Sequence, residues 1–178
     1  MSPFRPDLVE VWIFRDRTTP SPAAPESTHP ASQPAIEILL MRRSPGRILP
    51  GLWQCVSGSL ENGESVTAGA LRELNEETDF GAAAILGFYD LDQVNQFHEP
   101  SVGAIVSGAV FAVRVGTLAE PVLSHEHDAM QWATPEQALR LAVWPAYRES
   151  IRRIVENLLD PEQAVWFGLT LHGERVRR

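Results

Sequence analysis

The sequence contains no lysine, because all 15 of its basic residues are arginines. A lysine nucleophile or a lysine Schiff base is therefore excluded, and any cationic side chain that binds phosphate must be a planar, bidentate guanidinium. Cysteine is scarce as well, since Cys55 is the single one. It cannot form an internal disulfide, and we expect a small buried side chain rather than a reactive thiol.

Long apolar runs are also absent. No segment approaches the roughly 20 apolar residues that span a bilayer. Residues 1–10 carry charge and proline rather than the apolar core of a secretory signal. A net charge of −8 argues against a general nucleic-acid binder, which usually presents a basic face. We therefore expect a cytoplasmic protein with neither a membrane nor a nucleic acid as partner, and the sequence leaves a homodimer open.

A length of 178 residues, 44% of them hydrophobic, indicates one globular domain over residues 1–178. Short β-branched and aromatic runs predict strands at residues 8–14, 36–41, 53–56, 84–89, 102–115 and 130–133, with one more at 165–171. Helical spacing predicts helices at 65–78 and 146–159 and a helix start at 134–136. Residues 18–35 contain five prolines and predict a mobile loop. Interleaved strands and helices favour a mixed sheet covered by helices.

The helix predicted at residues 65–78 lies in a strongly acidic segment. Residues 58–80 contain six acidic side chains and one arginine, which supplies −5 of the net −8. We predict that the helix packs through a stripe made of Thr67, Leu71, Leu74 and Thr78. The opposite quadrant then carries three carboxylates at i, i+3 and i+4: Glu73, Glu76 and Glu77.

Three carboxylates at such short separations repel one another, and only Arg72 is near enough to pair with them. A solvated acidic face is one interpretation of this pattern. A divalent-cation site is the other, because Mg²⁺ binds carboxylate oxygens and keeps its remaining positions for water and phosphate.

The same segment resembles the Nudix box, G-x5-E-x7-R-E-U-x-E-E-x-G-U, in which U is bulky and apolar. Eight of the nine fixed positions agree, namely Gly58, Glu64, Arg72, Glu73, Leu74, Glu76, Glu77 and Phe80. The ninth is Asp79, where the motif has glycine. That position ends the helix in a left-handed conformation, which Asp tolerates better than most residues.

The resemblance implies an α/β/α sandwich with a loop-helix-loop catalytic motif, and a hydrolase that depends on Mg²⁺, with Mn²⁺ as a substitute. It implies metal ligation by the Gly58 carbonyl and by Glu73, Glu76 and Glu77. Arg72 would orient the carboxylates, with Glu64 bracing it. Many relatives carry a further Glu in a loop before a strand that ends in Trp, and Glu126 fits that place as an extra ligand or as the base. Its neighbours His125 and His127 are interpreted as polar loop residues.

The predicted substrate is a small molecule of the nucleoside-diphosphate type. Arg42 and Arg43 are candidates to bind a terminal phosphate, and Trp53 and Gln54 are candidates to contact the base. Phe97 is expected in a loop that covers the base. Residues 52–59 resemble the branch that contains dihydroneopterin triphosphate pyrophosphatase and dATP pyrophosphohydrolase.

That branch implies cleavage of a nucleoside or pterin triphosphate to pyrophosphate and a monophosphate. Two other functions stay open on the sequence alone. One is a dinucleoside polyphosphate, nucleotide-sugar or ADP-ribose hydrolase, which Phe97 favours. The other is a non-catalytic nucleotide-binding domain, against which the intact carboxylates argue.

Overall fold

The computed structural model describes residues 5–17 and 36–176. In chain order its strands are β1 (Leu8–Asp16), β2 (Ile36–Arg43), β3 (Trp53–Gln54), β4 (Val56–Ser59), β5 (Ile85–Glu99), β6 (Ala104–Val115), β7 (His127–Ala133) and β8 (Gly168–Leu169). Its α-helices are α1 (Val66–Thr78), α2 (Pro135–Leu141), α3 (Pro145–Arg153) and α4 (Pro161–Phe167), with a π-helical turn, Ile154–Leu158, after α3. The proline-rich segment at residues 18–35 lies outside the described residues.

The strands form one mixed sheet with β1 near its centre. The order is β3-β2-β1-β6-β5-β8, with β4 also paired to β1 and β7 also paired to β2. β1 runs parallel to β6 and antiparallel to β2 and β4. In the pairing of β1 with β2, Phe14 lies opposite Ile38.

Both faces of the sheet are covered. Side chains alternate along β1, so Trp12 and Phe14 join the core under α2, α3 and α4 on one face. Val9, Val11 and Ile13 join the core under α1 on the other. The α/β/α sandwich expected from the sequence is confirmed. The longest helix in the described part of the chain has 13 residues, and no helix there is long and apolar enough to cross a membrane.

The predicted strand at residues 165–171 is wrong. Its first three residues belong to α4, and only the two residues of β8 form a strand, which pairs with β5. The helix begins at Pro161, and the side chain of Asp160 accepts a hydrogen bond from the Glu162 N–H at 2.9 Å. An N-cap aspartate followed by proline at the first helical position is a helix-start signal.

Candidate active site

The acidic segment folds as a loop, a helix and a second loop. α1 begins where the Ser65 hydroxyl accepts a hydrogen bond from the Ala68 N–H at 3.2 Å. It ends at Asp79, which has φ 59° and ψ 17° and donates its N–H to the Asn75 carbonyl. The prediction that Asp79 adopts the left-handed conformation of the motif glycine is confirmed.

Gly58 brings the backbone of β4 against α1. A Cβ at this position would overlap the carboxylate of Glu73. Gly58 pairs with Val9 of β1, so its position is set by the sheet rather than by the loop that follows. Only glycine therefore lets the Glu73 carboxylate lie directly over the β4 main chain.

Arg72 uses both edges of its guanidinium group to hold the start of the motif together. Its Nε and Nη2 atoms donate to the two carboxylate oxygens of Glu64, at 2.9 and 3.1 Å. Nη1 donates to Glu73 at 2.8 Å and to Glu76 at 3.1 Å, and Nη2 also donates to the Ser59 carbonyl at 2.9 Å. All five N–H donors are occupied, which requires arginine rather than lysine.

The three carboxylates differ in burial, which corrects one prediction. Glu77 lies on the buried face of α1 with Ala70 and Leu74, and its exposed fraction is 4%. The Glu73 side chain is 13% exposed, whereas the Glu76 side chain is 57% exposed. The predicted acidic quadrant opposite a packing stripe is therefore wrong. Glu73 and Glu77 point toward the sheet because the β4 backbone at Gly58 gives them room there.

Burial shifts the ionisation of these groups. Burial is the main reason that the pKa of Glu77 is raised to about 8; the charges of Glu73 and Glu126 add to the rise, and the hydrogen bond from the Ser57 N–H opposes it. Burial also raises the pKa of Glu73, against the opposing hydrogen bond from Arg72. The site thus concentrates negative charge that its arginine only partly balances.

The chemistry of these donors fits a hard divalent cation. The Oε2 atom of Glu77 is buried and has no hydrogen-bond partner among the described residues, and a carboxylate oxygen in that state suits a cation. Within residues 5–17 and 36–176, however, no three acidic, histidine or cysteine side chains are grouped as a ready-made metal site. Glu73 and Glu76 are bonded to Arg72 instead.

Glu126 lies at the edge of this cluster. It directly precedes β7, the strand that contains Trp132, as predicted. Its charge adds to the rise in the pKa values of Glu73 and Glu77. Its own carboxylate lies 3.4 Å from Nη2 of Arg47.

His127 corrects a second prediction. His125 is exposed, but His127 opens β7 and points between the sheet and α1, with a fully buried side chain. Its Nδ1 lies 3.6 Å from Oε2 of Glu77, and its Nε2 lies 3.3 Å from the amide nitrogen of Gln54. Burial and the charge of Arg43 lower its pKa to about 4. His127 is thus a neutral core residue rather than a polar loop residue.

The residues predicted to bind substrate are arranged on and beside β2 and β3. Arg42 donates to Asp128 at 2.7 Å, and its guanidinium lies 5.9 Å from the centre of the Trp53 ring. Arg43 donates to the Ile48 carbonyl at 2.7 Å. Both arginines are partly exposed, so each retains N–H donors for a phosphate.

Two other residues that were predicted to contact substrate, Gln54 and Phe97, do not lie where the sequence placed them. Gln54 is buried and bonded to His127, so its amide faces the interior rather than a substrate. Phe97 is 41% exposed, but it belongs to β5 and pairs with Val106, so the prediction that it lies in a loop is wrong. β5 continues to Glu99 because β6 pairs with it along its whole length.

Glu10 is a buried acidic residue that was not predicted from the sequence. This residue of β1 is 3% exposed and accepts a hydrogen bond from the Asn95 amide at 2.7 Å. Burial raises its pKa to about 7. Asn95 also accepts from Gln93, which is in turn bonded to Ser150 of α3. An acidic residue inside an otherwise apolar strand was the available signal.

Comparison with known proteins agrees with this geometry. The sequence pattern of the NUDIX domain family matches residues 29–154, more than half of the chain. The chain is 33% identical over 110 residues to the CTP pyrophosphohydrolase of Escherichia coli (strain K12), a match that covers 62% of this chain and 76% of that protein. It is also 37% identical over 122 residues to the octanoyltransferase of Myxococcus xanthus. That match covers 67% of this chain and 32% of the relative, so the chain spans about a third of that protein.

Solved structures share the fold. A NUDIX hydrolase of Listeria monocytogenes has a TM-score of 0.66 at 21% identity, with 86% of this chain and 94% of that chain covered. The Ap4A hydrolase of C. elegans has a TM-score of 0.64 at 20% identity, with 85% and 96% covered. The dihydroneopterin triphosphate pyrophosphohydrolase of E. coli has a TM-score of 0.59 at 22% identity, with 84% and 98% covered. By the family match, the motif spacing and the fold together, the chain belongs to the Nudix hydrolase family.

Proposed function

We propose that this chain hydrolyses a phosphoanhydride bond in a nucleoside or pterin triphosphate and releases pyrophosphate and a monophosphate. The observation that carries the proposal is the Arg72 network, which holds Glu73 over the backbone of Gly58 beside the buried Glu77. The relative named CTP pyrophosphohydrolase supports this choice of substrate class.

Mg²⁺, with Mn²⁺ as a substitute, is the proposed cofactor. Its ligands would be the Gly58 carbonyl and the carboxylates of Glu73, Glu76 and Glu77. When bound, such an ion neutralises diphosphate charge, activates water and stabilises the leaving phosphate. Since Arg72 bonds Glu73 and Glu76 here, loading the site requires those carboxylates to share or release the guanidinium.

Glu126 is the proposed proton acceptor or an additional ligand. It is close enough to Glu73 and Glu77 to affect both electrostatically, yet it lies on a separate loop. Its side chain is one-third exposed, so its carboxylate can reach a water molecule that the buried Glu77 cannot. Glu73 is the alternative acceptor.

The substrate would lie across the exposed ends of β2 and β3. Arg42 and Arg43 would bind its phosphates through their remaining N–H groups. Trp53 would contact its ring system, since its side chain is partly exposed beside β2. Phe97 lies on β5, with β6 and β1 between it and β2, so it would contact a more distant part of the substrate. Gln54 is left out of this contact because its amide is bonded to His127.

A second candidate is hydrolysis of a dinucleoside polyphosphate, with a nucleotide sugar or ADP-ribose as further substrates of that kind. The exposed ring of Phe97 at the sheet edge favours it, because a second base needs a second stacking surface. The solved Ap4A hydrolase shares the fold with this chain.

The test is a panel of nucleoside, pterin and dinucleoside polyphosphates incubated with the purified chain and Mg²⁺, with every product identified. Triphosphates should yield pyrophosphate and a monophosphate, and excess chelator should abolish turnover until Mg²⁺ or Mn²⁺ is restored. Products without pyrophosphate from a preferred dinucleotide would select the second candidate. Full turnover in chelator, or none on any substrate with metal, would contradict the proposal.

A further inference from the structure

Two buried polar atoms face each other between α1 and β7. The Oε2 atom of Glu77 and the Nδ1 atom of His127 lie 3.6 Å apart, and neither has a hydrogen-bond partner in the described structure. A buried polar group that is left unpaired has lost its hydrogen bonds to water without replacement, which is unfavourable. A shift of a few tenths of an ångström would satisfy both atoms at once, provided that Nδ1 carries the proton.

Gln54 decides which nitrogen of His127 carries that proton. Its amide nitrogen, which only donates, lies 3.3 Å from Nε2 of the imidazole. Nε2 must therefore accept, and in a neutral imidazole the proton then resides on Nδ1. Both residues are nearly fully buried, so water does not compete for either nitrogen.

The other oxygen of Glu77 is held independently. Its Oε1 accepts a hydrogen bond from the Ser57 N–H at 3.2 Å, next to Gly58. A donor on Oε2 would thus fix the carboxylate from both sides and leave its remaining lone pairs for a cation. Partners of this kind orient metal-binding carboxylates, and their loss typically costs about 10- to 100-fold in affinity or activity.

We propose that Gln54 and His127 form a relay that positions the Glu77 carboxylate, in which Gln54 donates to Nε2 and Nδ1–H donates to Oε2. His127 and Gln54 are positioning residues, since neither touches a reacting atom. The part of the inference that concerns the metal rests on the proposed function. The part that concerns the proton on His127 does not.

The first test measures the tautomer directly by ¹⁵N–¹H correlation NMR of the metal-free chain. The wild type should show protonated Nδ1 and unprotonated Nε2. Gln54→Glu places an acceptor opposite Nε2 and should move the proton to Nε2. A protonated Nε2 in the wild type, or the same tautomer in both proteins, overturns the relay.

The second test measures Mn²⁺ affinity by titration, with kcat and KM beside it. His127→Leu removes the donor and should weaken Mn²⁺ binding about 10- to 100-fold, whereas His127→Asn keeps an N–H near the Nδ1 position and should stay within a few-fold of wild type. If Mn²⁺ affinity fell equally in both variants, His127 would contribute only by packing, and the positioning role would be overturned.

The two tests separate the relay from the proposed function. If His127→Leu does not fold, His127→Asn and Gln54→Glu still test the relay. In that case Gln54→Glu should weaken Mn²⁺ binding, and His127→Asn should not. If the wild type neither binds Mn²⁺ nor hydrolyses any nucleotide, the proposed function fails while the NMR result still confirms or overturns the hydrogen-bond chain.

Discussion

The two faces of the sheet are covered by helices that place their charges differently. In α3, Tyr147 and Ile151 face the core, and the charged residues face solvent. Glu149 there pairs with Arg153 at 3.0 Å, one turn along the helix. Opposite charges at i and i+4 on an exposed surface are what helix stability favours.

α1 departs from that arrangement. Its buried face includes Glu77 as well as Leu74, and Glu73 also turns toward the sheet. Burial raises the pKa of both carboxyl groups, so the folded chain holds them at an electrostatic cost. The charge pattern of α1 is unfavourable for stability, whereas that of α3 is favourable. This difference indicates that the carboxylates of α1 serve binding rather than stability.

The strongest test of this contrast is Glu77→Gln, which keeps the size of the side chain and removes its charge. We expect kcat to fall by at least about 10²-fold, because a proposed metal ligand is lost. Thermal stability in chelator should stay equal or rise, since a neutral amide costs less to bury than a carboxylate. Steady-state kinetics and thermal melting check the two outcomes.

The matched control is Glu156→Gln, an exposed residue on the far side of the sheet, which should change neither measurement. A near-normal kcat in Glu77→Gln would mean that the acidic face of α1 has no catalytic role.

Glu126→Gln should lower kcat by about 10²-fold with KM within a few-fold of wild type, as expected for loss of a proton acceptor. Arg47→Gln is the control, because Arg47 forms the ion pair that Glu126 makes in this structure. If both variants lose the same activity, Glu126 acts only by holding its loop. Wild-type kcat in Glu126→Gln together with severe loss in Glu73→Gln would assign the base to Glu73.

Gly58→Ala should lower kcat about 10-fold or more and destabilise the fold by about 1–3 kcal/mol, because the added methyl group overlaps the Glu73 carboxylate. Gly116→Ala is the matched change in a position where a Cβ meets no atom within 4 Å. Chemical denaturation and kinetics on both variants measure the effect. Equal behaviour of the two would show that Glu73 moves aside without consequence.

Glu10→Gln tests the buried carboxyl on the opposite face. Its folded-state pKa of about 7 lies above the ordinary value of 4.5, so between these pH values the folded chain holds the proton that the unfolded chain has lost. The contribution of Glu10 to stability therefore falls as pH rises through this window, by about 3 kcal/mol in total. Glu10→Gln should remove the contribution of Glu10 to the pH dependence of stability, while its side-chain oxygen still accepts the hydrogen bond from Asn95.

The measurement is denaturant unfolding from pH 4.5 to 7.5 in chelator. Cys55 and Tyr147 also interact with Glu10, but burial raises the pKa of each, so neither ionises in this range. Glu77 contributes a slope of the same sign, which the Glu77→Gln variant subtracts. His127, whose folded pKa of about 4 lies below its ordinary value of 6.5, contributes a slope of the opposite sign, so the share of Glu10 is read as the difference between the wild type and Glu10→Gln. Equal pH dependence of stability in these two proteins would contradict the assignment.

The smallest expected effect is that of Glu149→Gln, on the conventional helix. Its ion pair with Arg153 is half exposed, and pairs of this kind contribute about 0.3–0.5 kcal/mol. We expect a stability loss of that size and unchanged kcat. If Glu149→Gln raised the stability instead, Glu149 would behave as we expect of Glu77, and α1 and α3 would no longer differ in how they place their charges.

Much of the fold was predictable from local patterns. β1, β2 and α1 were predicted because their periodicity is visible in consecutive residues, and Asp79 because the end of a helix needs a left-handed residue. The extent of β5 was not predictable. Its outer half is largely polar and exposed, and it is a strand only because β6 runs beside it.

The sequence by itself determined the local contacts of Arg72: Arg72 and Glu76 meet across one helical turn, and Glu64 lies close enough along the chain to bind the same guanidinium. Those contacts depend on separations of four and eight residues. Only the tertiary structure decided which carboxylates are buried, and that His127 faces Glu77 while Gln54 faces His127. Gln54 and His127 are 73 positions apart, and Glu10 and Asn95 are 85 apart. Strand register sets such distances, and register follows from packing over the whole sheet rather than from any local segment.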